Sequence, residues 1–208
     1  MVIYNNSTVG LTPVQSILKR SWDISGAVVG LMLTAWIILP AFIAACINTR
    51  DNGFFTQKRV GQHGKIFRVV KIRTMKNIKD VNTNVTTDND PRITPLGRFF
   101  RRTKIDELPQ LFNVLLGNMS FVGPRPDVPG FADKLKGKDL IILSVRPGIT
   151  GPATLVYREE EILLAQVDDP ERYNCEVIFP DKVRLNREYV EKYSFRSDIG
   201  YILETVFP

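Results

Sequence analysis

A single histidine, His63, and two cysteines, Cys46 and Cys175, leave little room for Ser-His-Asp catalysis, a histidine-rich metal centre or a disulfide framework. Acid–base or nucleophilic work therefore falls to carboxylates, lysines and hydroxyls. The most informative segment runs from Asp90-Pro-Arg-Ile-Thr94 to Ile105-Asp-Glu-Leu-Pro109. Adjacent carboxylates Asp106 and Glu107 stand just ahead of Pro109, at an expected helix N-terminus. Backbone N–H groups and the positive dipole end there favour anions, and would hold a carboxylate ionised and nucleophilic. Neighbouring Asp and Glu cannot share one face, which suggests separate roles, one attacking and one holding a cation. The plainer alternative makes Asp106 a helix cap. Arg92, Arg98, Arg101 and Arg102 crowd the same segment, and Arg125 is locked between Pro124 and Pro126. Guanidinium groups on rigid turns suit bidentate phosphate contacts, so the constellation points to phosphoryl chemistry more than to scattered surface charge. Asp88-Asn89-Asp90 is an Asp-x-Asp pattern of the kind that holds a metal in nucleotide-sugar glycosyltransferases, although such short matches are common in acidic loops.

The elements that must position these groups are legible in outline. Pro109 suits the first turn of a helix through Leu111, Phe112, Val114 and Leu115 to Gly117. Phe54-Phe55 and Ile66 to Ile72 have strand-like content around Gly61 and Gly64, and residues 76–90 read as a mobile polar loop. Gly123-Pro-Arg-Pro126 and Arg146-Pro-Gly148 are rigid turns, Arg98 to Arg102 a basic amphipathic stretch, and Ile199, Ile202, Leu203 and Val206 the apolar side of a terminal helix capped by Ser197 or Asp198. Twelve Lys/Arg face three Asp from Arg59 to Lys104, whereas seven basic residues face twelve acidic ones from Gly151 onward. A basic block of this kind meets phosphate as nucleotide, anionic lipid or nucleic acid, or is simply a solvated face.

From Ala27 to Ile47 the chain carries no charge, long enough at ~1.5 Å per residue to reach across a ~30 Å hydrocarbon core. Pro40 falls two-thirds of the way along, and both flanks are basic, with Lys19 and Arg20 before and Arg50, Lys58 and Arg59 after. The positive-inside tendency then asks for both ends on one side, which a helix broken at Pro40 and returning would satisfy; a tilted span is the rival. Ile43-Ala-Ala-Cys46 resembles a lipoprotein cleavage box, but the apolar run is too long for a signal core. The expected organisation is a lead-in and membrane segment over 1–50 and a catalytic domain over 51–208, of α/β (α+β) class, mostly helical with a few short strands.

Nearly the whole chain, from Lys19 to Val206, resembles the bacterial sugar transferase family of monotopic polyprenyl-phosphate phosphoglycosyl transferases. The resemblance rests on Lys19-Arg-x-x-Asp23, Gln57-Lys-Arg-Val-Gly-Gln62, Lys71-Ile-Arg-Thr-Met75, Asp90-Pro-Arg-Ile-Thr94, Ile105-Asp-Glu-Leu-Pro-Gln-Leu-Phe-Asn-Val114, Met119-Ser-Phe-Val-Gly-Pro-Arg-Pro126 and Val145-Arg-Pro-Gly-Ile-Thr-Gly151. It implies that Asp106 attacks the sugar-bearing phosphate of a UDP-sugar, expelling UMP, and that polyprenyl phosphate then attacks the aspartyl phosphosugar. It also implies that Glu107 sits on Mg²⁺, and that Lys71, Arg73, Arg92, Arg102, Arg125 with its flanking Pro124 and Pro126, and Arg146 bind phosphate or nucleotide. The family's membrane segment is a re-entrant helix broken near a proline, accompanied by interfacial amphipathic helices, at the cytoplasmic face of the bacterial inner membrane. The expected partners are a UDP-sugar, undecaprenyl phosphate and phospholipid, with a homodimer left open and no nucleic acid.

Three departures from the family pattern stand out. Leu39-Pro40 lacks the usual serine before proline, Asn118 replaces an acid before Met119, and Pro152 to Tyr157 replaces a common Trp-x-Gln-Val-Asn, which is expected to alter the sugar or nucleotide pocket. Two other functions compete: a metal-dependent glycosyltransferase built on Asp88 and Asp90, and a membrane-tethered module whose basic block binds a polyanion. The latter lacks a nucleic-acid motif, and its Asp-Glu pair would be unhelpful.

Overall fold

The computed structural model describes residues 10–77, 86–87 and 90–207. The longest element is helix α1, Pro13–Thr49, whose 37 residues extend ~55 Å at ~1.5 Å per residue. Thr12 and Gln15 form a reciprocal capping box at its start, and Pro13 occupies the first turn, where its missing N–H costs nothing. Arg50, left-handed at φ 56°, closes the other end with its N–H on the Cys46 carbonyl.

The helix runs through Pro40 without interruption, a correction to the expected break. Proline removes one bond and crowds the Trp36 carbonyl, yet Ile38, Ala41 and Ala45, on both sides of it, pack into one cluster with Ile72 and Phe100. That shared face holds both halves on the domain. Lys19, Asp23 and Ala27 are buried on the same helix further back, and Gly26 lets Phe121 lie so close that a Cβ would fall 2.7 Å from its ring. The opposite side, with Val29, Met32, Leu33, Trp36, Leu39 and Ile47, is at least half exposed. Among the described residues α1 is the one helix long and apolar enough to cross a membrane.

Polar groups anchor the N-terminal half of α1. Arg20 donates to the Val114 and Leu115 carbonyls at 2.7 and 2.9 Å. The Asp23 carboxylate accepts from Ser120 Oγ and the Phe121 N–H, both at 3.0 Å. Lys19 is buried in an ion pair with Asp198, whose other oxygen accepts from Tyr189 Oη at 2.7 Å. A buried charge of this kind persists only when paired and hydrogen-bonded.

Strands β1 (Phe54–Val60) and β2 (Ile66–Ile72) form an antiparallel hairpin with Phe54 opposite Ile72 and Val60 opposite Ile66. Helix α2 (Pro95–Arg102) follows, capped by the Thr94 hydroxyl, and Gly97 is required there because a Cβ would meet the Thr74 carbonyl at 2.0 Å. A single 3₁₀ turn, Ile105–Glu107, leads into α3 (Gln110–Leu115), a helix shorter than expected that ends before Gly117 at φ 85°. Asn113 on α3 bonds the Val70 N–H and the Arg68 carbonyl at 3.0 and 2.8 Å, docking α3 against β2. Strands β3 (Ser120–Val122) and β4 (Gly148–Thr150) pair in parallel. The remainder is helical: α4 (Pro152–Val156), α5 (Glu160–Leu164), α6 (Pro170–Tyr173), a π turn over Asn174–Ile178, α7 (Phe179–Glu191) and α8 (Phe195–Val206). Ser194, not Ser197 or Asp198, caps α8, because Asp198 is committed to Lys19. The domain is thus mostly helical with few short strands. Much of the segment read as a mobile loop, 78–85 and 88–89, lies outside the described residues.

Candidate active site

Lys104, left-handed at φ 57°, turns the chain out of α2 and into the 3₁₀ turn that carries Asp106 and Glu107. Asp106 is only 7% exposed, and its Oδ1 is buried with no hydrogen-bond partner. Burial pushes its carboxyl up to about 6, with the neighbouring Glu107 charge adding to the rise and Lys71, Arg101 and Lys104 opposing it. The 3₁₀ turn that carries Asp106 precedes α3, so burial rather than a helix N-terminus dominates its titration, and the carboxyl is raised rather than lowered.

Glu107 has the opposite environment. Burial alone would raise its pKa, but the charges of Lys71 and Arg125, and the Lys71 hydrogen bond, hold it well below the usual carboxylate range. Lys71 Nζ lies 2.7 Å from Glu107 Oε1, and Arg125 lies 3.5 Å from the same oxygen. Adjacent carboxylates with pKa values pushed apart are a recurring sign of divided chemical roles. Here one holds cations, and the other keeps a bare oxygen.

Arg125 owes its position to a turn stapled on both sides. The Gly123 N–H donates to Thr150 O and the Gly148 N–H to Pro124 O, both at 2.9 Å. From the hairpin, the Val60 N–H donates to Asp127 O at 2.9 Å and Arg59 to Pro126 O at 3.1 Å. A Cβ on Gly123 would stand 2.5 Å from Arg146 O, so the close approach needs glycine. Burial lowers Arg59 to about 10, with the Arg125 charge working the same way. Asp127 is pushed up to about 6 by burial, against the pull of Lys182, Arg59 and Arg125. Helix α5 flanks this group with two acids: Glu161 holds Arg101 at 2.8 Å, and Glu160 holds Lys182 at 2.6 Å.

Of the residues singled out in the sequence, the fold brings together Asp106, Glu107, Lys71 and Arg125, with Pro124 and Pro126 rigidifying the last. It uses others structurally. Arg73 donates to Asn52 O at 2.6 Å and pairs with Asp51 at 3.3 Å, tying down the entry to the hairpin. Arg92 grips Asp90, with its outer nitrogen 2.7 Å from Oδ2, which commits the one described member of the Asp-x-Asp pattern; Asp88 lies outside the described residues. Arg146 donates to Gly117 O at 2.9 Å, beyond the C-terminal end of α3 and beside Arg20. Asn118 occupies that same end, its N–H donating to the Asn113 carbonyl at 3.0 Å. Arg102 is exposed, without a hydrogen bond or ion pair to the described residues.

Arg59, Asp127, Glu160 and Lys182 were not singled out as site residues. Arg59 and Asp127 had a local cue, being within or next to two of the quoted motifs, but Glu160 and Lys182 reach the site only through packing of α5 and α7.

Among the described residues no three His, Cys, Asp or Glu side chains gather as a metal cluster. Two carboxylates, one with an orphaned oxygen, nevertheless fit Mg²⁺, which takes one or two protein carboxylates and fills its remaining positions with phosphate and water.

Residues 14–208 match the bacterial sugar transferase family. The galactosyl transferase CpsE of Streptococcus agalactiae is 37% identical over 204 residues, covering 91% of this chain and 41% of that protein. The UDP-glucose:undecaprenyl-phosphate glucose-1-phosphate transferase of Escherichia coli is 34% identical over 203 residues, covering 95% of this chain and 41% of that one. A putative undecaprenyl-phosphate N-acetylgalactosaminyl 1-phosphate transferase of Bacillus subtilis is 44% identical over 122 residues, with 58% and 68% covered. The chain thus spans about two fifths of the length of the streptococcal and E. coli proteins. It belongs to the bacterial sugar transferase family.

Proposed function

We propose that this family member transfers a sugar 1-phosphate from a UDP-sugar to a polyprenyl phosphate such as undecaprenyl phosphate, releasing UMP. The observation that carries the reading is the split pair: Asp106 with a buried, unpartnered Oδ1, beside Glu107 clamped by Lys71 and Arg125. An unpartnered carboxylate oxygen, held next to cations that can receive phosphate, is what covalent phosphoryl transfer requires.

The Asp106 carboxylate attacks the sugar-bearing phosphorus, and the bond from that phosphorus to the bridging oxygen breaks, so that UMP leaves with the electron pair. A phosphate oxygen of the polyprenyl phosphate then attacks the same phosphorus, and the acyl–phosphate bond breaks to regenerate the Asp106 carboxylate. With a pKa of about 6, Asp106 is largely ionised at neutral pH, and its poor solvation leaves it reactive. Lys71 and Arg125 stand where they can exchange Glu107 for phosphate oxygens as negative charge shifts toward the leaving group. Bound Mg²⁺, held by Glu107 with the Asp106 carboxylate alongside, would supply further charge neutralisation on the diphosphate.

The membrane setting follows from α1. Within the apolar run, Ile38, Ala41 and Ala45 pack on Ile72 of β2 and Phe100 of α2, so a simple crossing would drag those elements, with the charged Lys71 and Arg101 beside them, into hydrocarbon. The helix is instead proposed to enter the bilayer by its exposed face and leave both ends at the cytoplasmic side of the inner membrane, as the basic flanks favour.

The decisive assay incubates purified protein with Mg²⁺, undecaprenyl phosphate and a panel of UDP-sugars, and identifies the released nucleotide. UMP, lost in Asp106→Asn, together with an intact-mass gain equal to one phosphosugar when the acceptor is omitted, is the expected result. UDP release would instead indicate a glycosyltransferase and sink the proposal.

A further inference from the structure

The cations around Asp127 are already taken. Arg59 donates to Pro126 O at 3.1 Å and Gln57 Oε1 at 2.6 Å, Arg125 turns to Glu107 at 3.5 Å, and Lys182 is held by Glu160 at 2.6 Å. The Asp127 carboxylate faces all three charges, yet it makes no hydrogen bond or ion pair with the described residues. Its residue is only half-buried, so the oxygens stay open to water and equally to the hydroxyls of a ligand. Asp127 lies two residues from Arg125, and both line a shallow open recess together with Val60, Gly61, Ile142 and Val145.

The segment that departs from the family pattern converges on the same spot. Tyr157, the last residue of that departure, has its ring 5.5 Å below Lys182 Nζ, and its hydroxyl donates to Asp181 at 2.9 Å. Three features of this chain thus meet beside Arg125: an acceptor without a protein donor, an anchored lysine and an aromatic face.

We infer that Asp127 is a specificity-determining residue that accepts hydrogen bonds from a pair of hydroxyls on the donor nucleotide-sugar, beside a rim formed by Lys182, Glu160 and Tyr157. This inference rests on the proposed function and deepens it. A carboxylate that only accepts is matched to a vicinal diol, which only has to donate, and the fixed cations on either side keep the carboxylate ionised while contributing no donors of their own. Both the ribose and the transferred sugar carry such hydroxyls.

The test measures binding by calorimetry in an Asp106→Asn background, so that no turnover intervenes, with Asp127→Asn and Asp127→Ala added separately. The probes are UDP, UDP-glucose, UDP-galactose and UDP-N-acetylgalactosamine. The expected result is a loss of about tenfold or more in affinity, larger for Ala than for Asn. If the sugar provides the hydroxyls, UDP binds unchanged and the ranking of the three UDP-sugars alters. If the ribose does, all four probes weaken by one factor. Unchanged affinities and ranking in both variants would overturn the inference while leaving the proposed reaction standing. Failure of the Asp106→Asn parent to bind any of the four would overturn both. The near-isosteric Asn variant guards against loss of folding, and an altered ranking among sugars is an effect that a purely structural role would not produce.

Discussion

Replacing Asp106 with Asn should abolish turnover and at the same time make the protein more stable. The carboxyl titrates at 3.8 ordinarily and at about 6 in the fold, chiefly because burial strips it of water. At ~1.36 kcal/mol for each tenfold change in the proton equilibrium, the anion is disfavoured in the folded state by about 3 kcal/mol at neutral pH. Asn removes the charge but keeps a buried polar amide, so the net gain is expected at about 1–3 kcal/mol, equivalent to ~2–10 °C in Tm for a chain of this size. The sign with pH follows from the raised value. Above pH 6 the native carboxyl is charged and the gain is complete. As pH falls from 6 toward 3.8, the native state takes up its proton before the unfolded chain does, and the gain fades. Thermal unfolding of both proteins in the same detergent and EDTA, at pH 8 and at pH 4, measures this directly. A Tm for Asp106→Asn equal to or below that of the parent at pH 8, or a gain of equal size at both pH values, would refute the reasoning that a poorly solvated anion is held ready at the site.

Lys71→Met should leave the buried Glu107 with Arg125 alone and reduce UMP formation by about 100-fold or more, measured at saturating donor, because a cation aimed at developing charge is lost. Lys19→Met should destabilise the fold by about 3–5 kcal/mol by stranding Asp198, and the double variant Lys19→Met/Asp198→Asn should regain part of that loss in thermal unfolding. Single cysteines placed at Gln15 and at Thr56, with Cys46 and Cys175 replaced, should both label from the cytoplasmic side in vesicles; labelling from opposite sides would establish a spanning helix.

The apolar run, the strand-like content of β1 and β2, the rigid turns and the Asp106-Glu107 pair are all legible in the sequence because each depends on local chemistry. An uncharged stretch of about 21 residues is read without neighbours, prolines and glycines fix turns through their own backbone preferences, and two adjacent carboxylates remain adjacent in any fold. Tertiary structure decided what each local signal meant. Pro40 reads as a break, but Ile38, Ala41 and Ala45 pack on Ile72 and Phe100 around it and the helix continues. Arg73, Arg92 and Arg146 read as phosphate ligands, and the fold assigns them to Asp51, Asp90 and the Gly117 carbonyl, since a guanidinium binds whichever acceptor packing brings within reach. Asp198 reads as a helix cap and instead neutralises a lysine 179 positions away. The contrast between Asp106 and Glu107 lies furthest from what sequence can supply. It arises from unequal desolvation and from cations delivered by β2 and the Pro124–Pro126 turn, and neither burial nor a through-space charge has a signature along the chain.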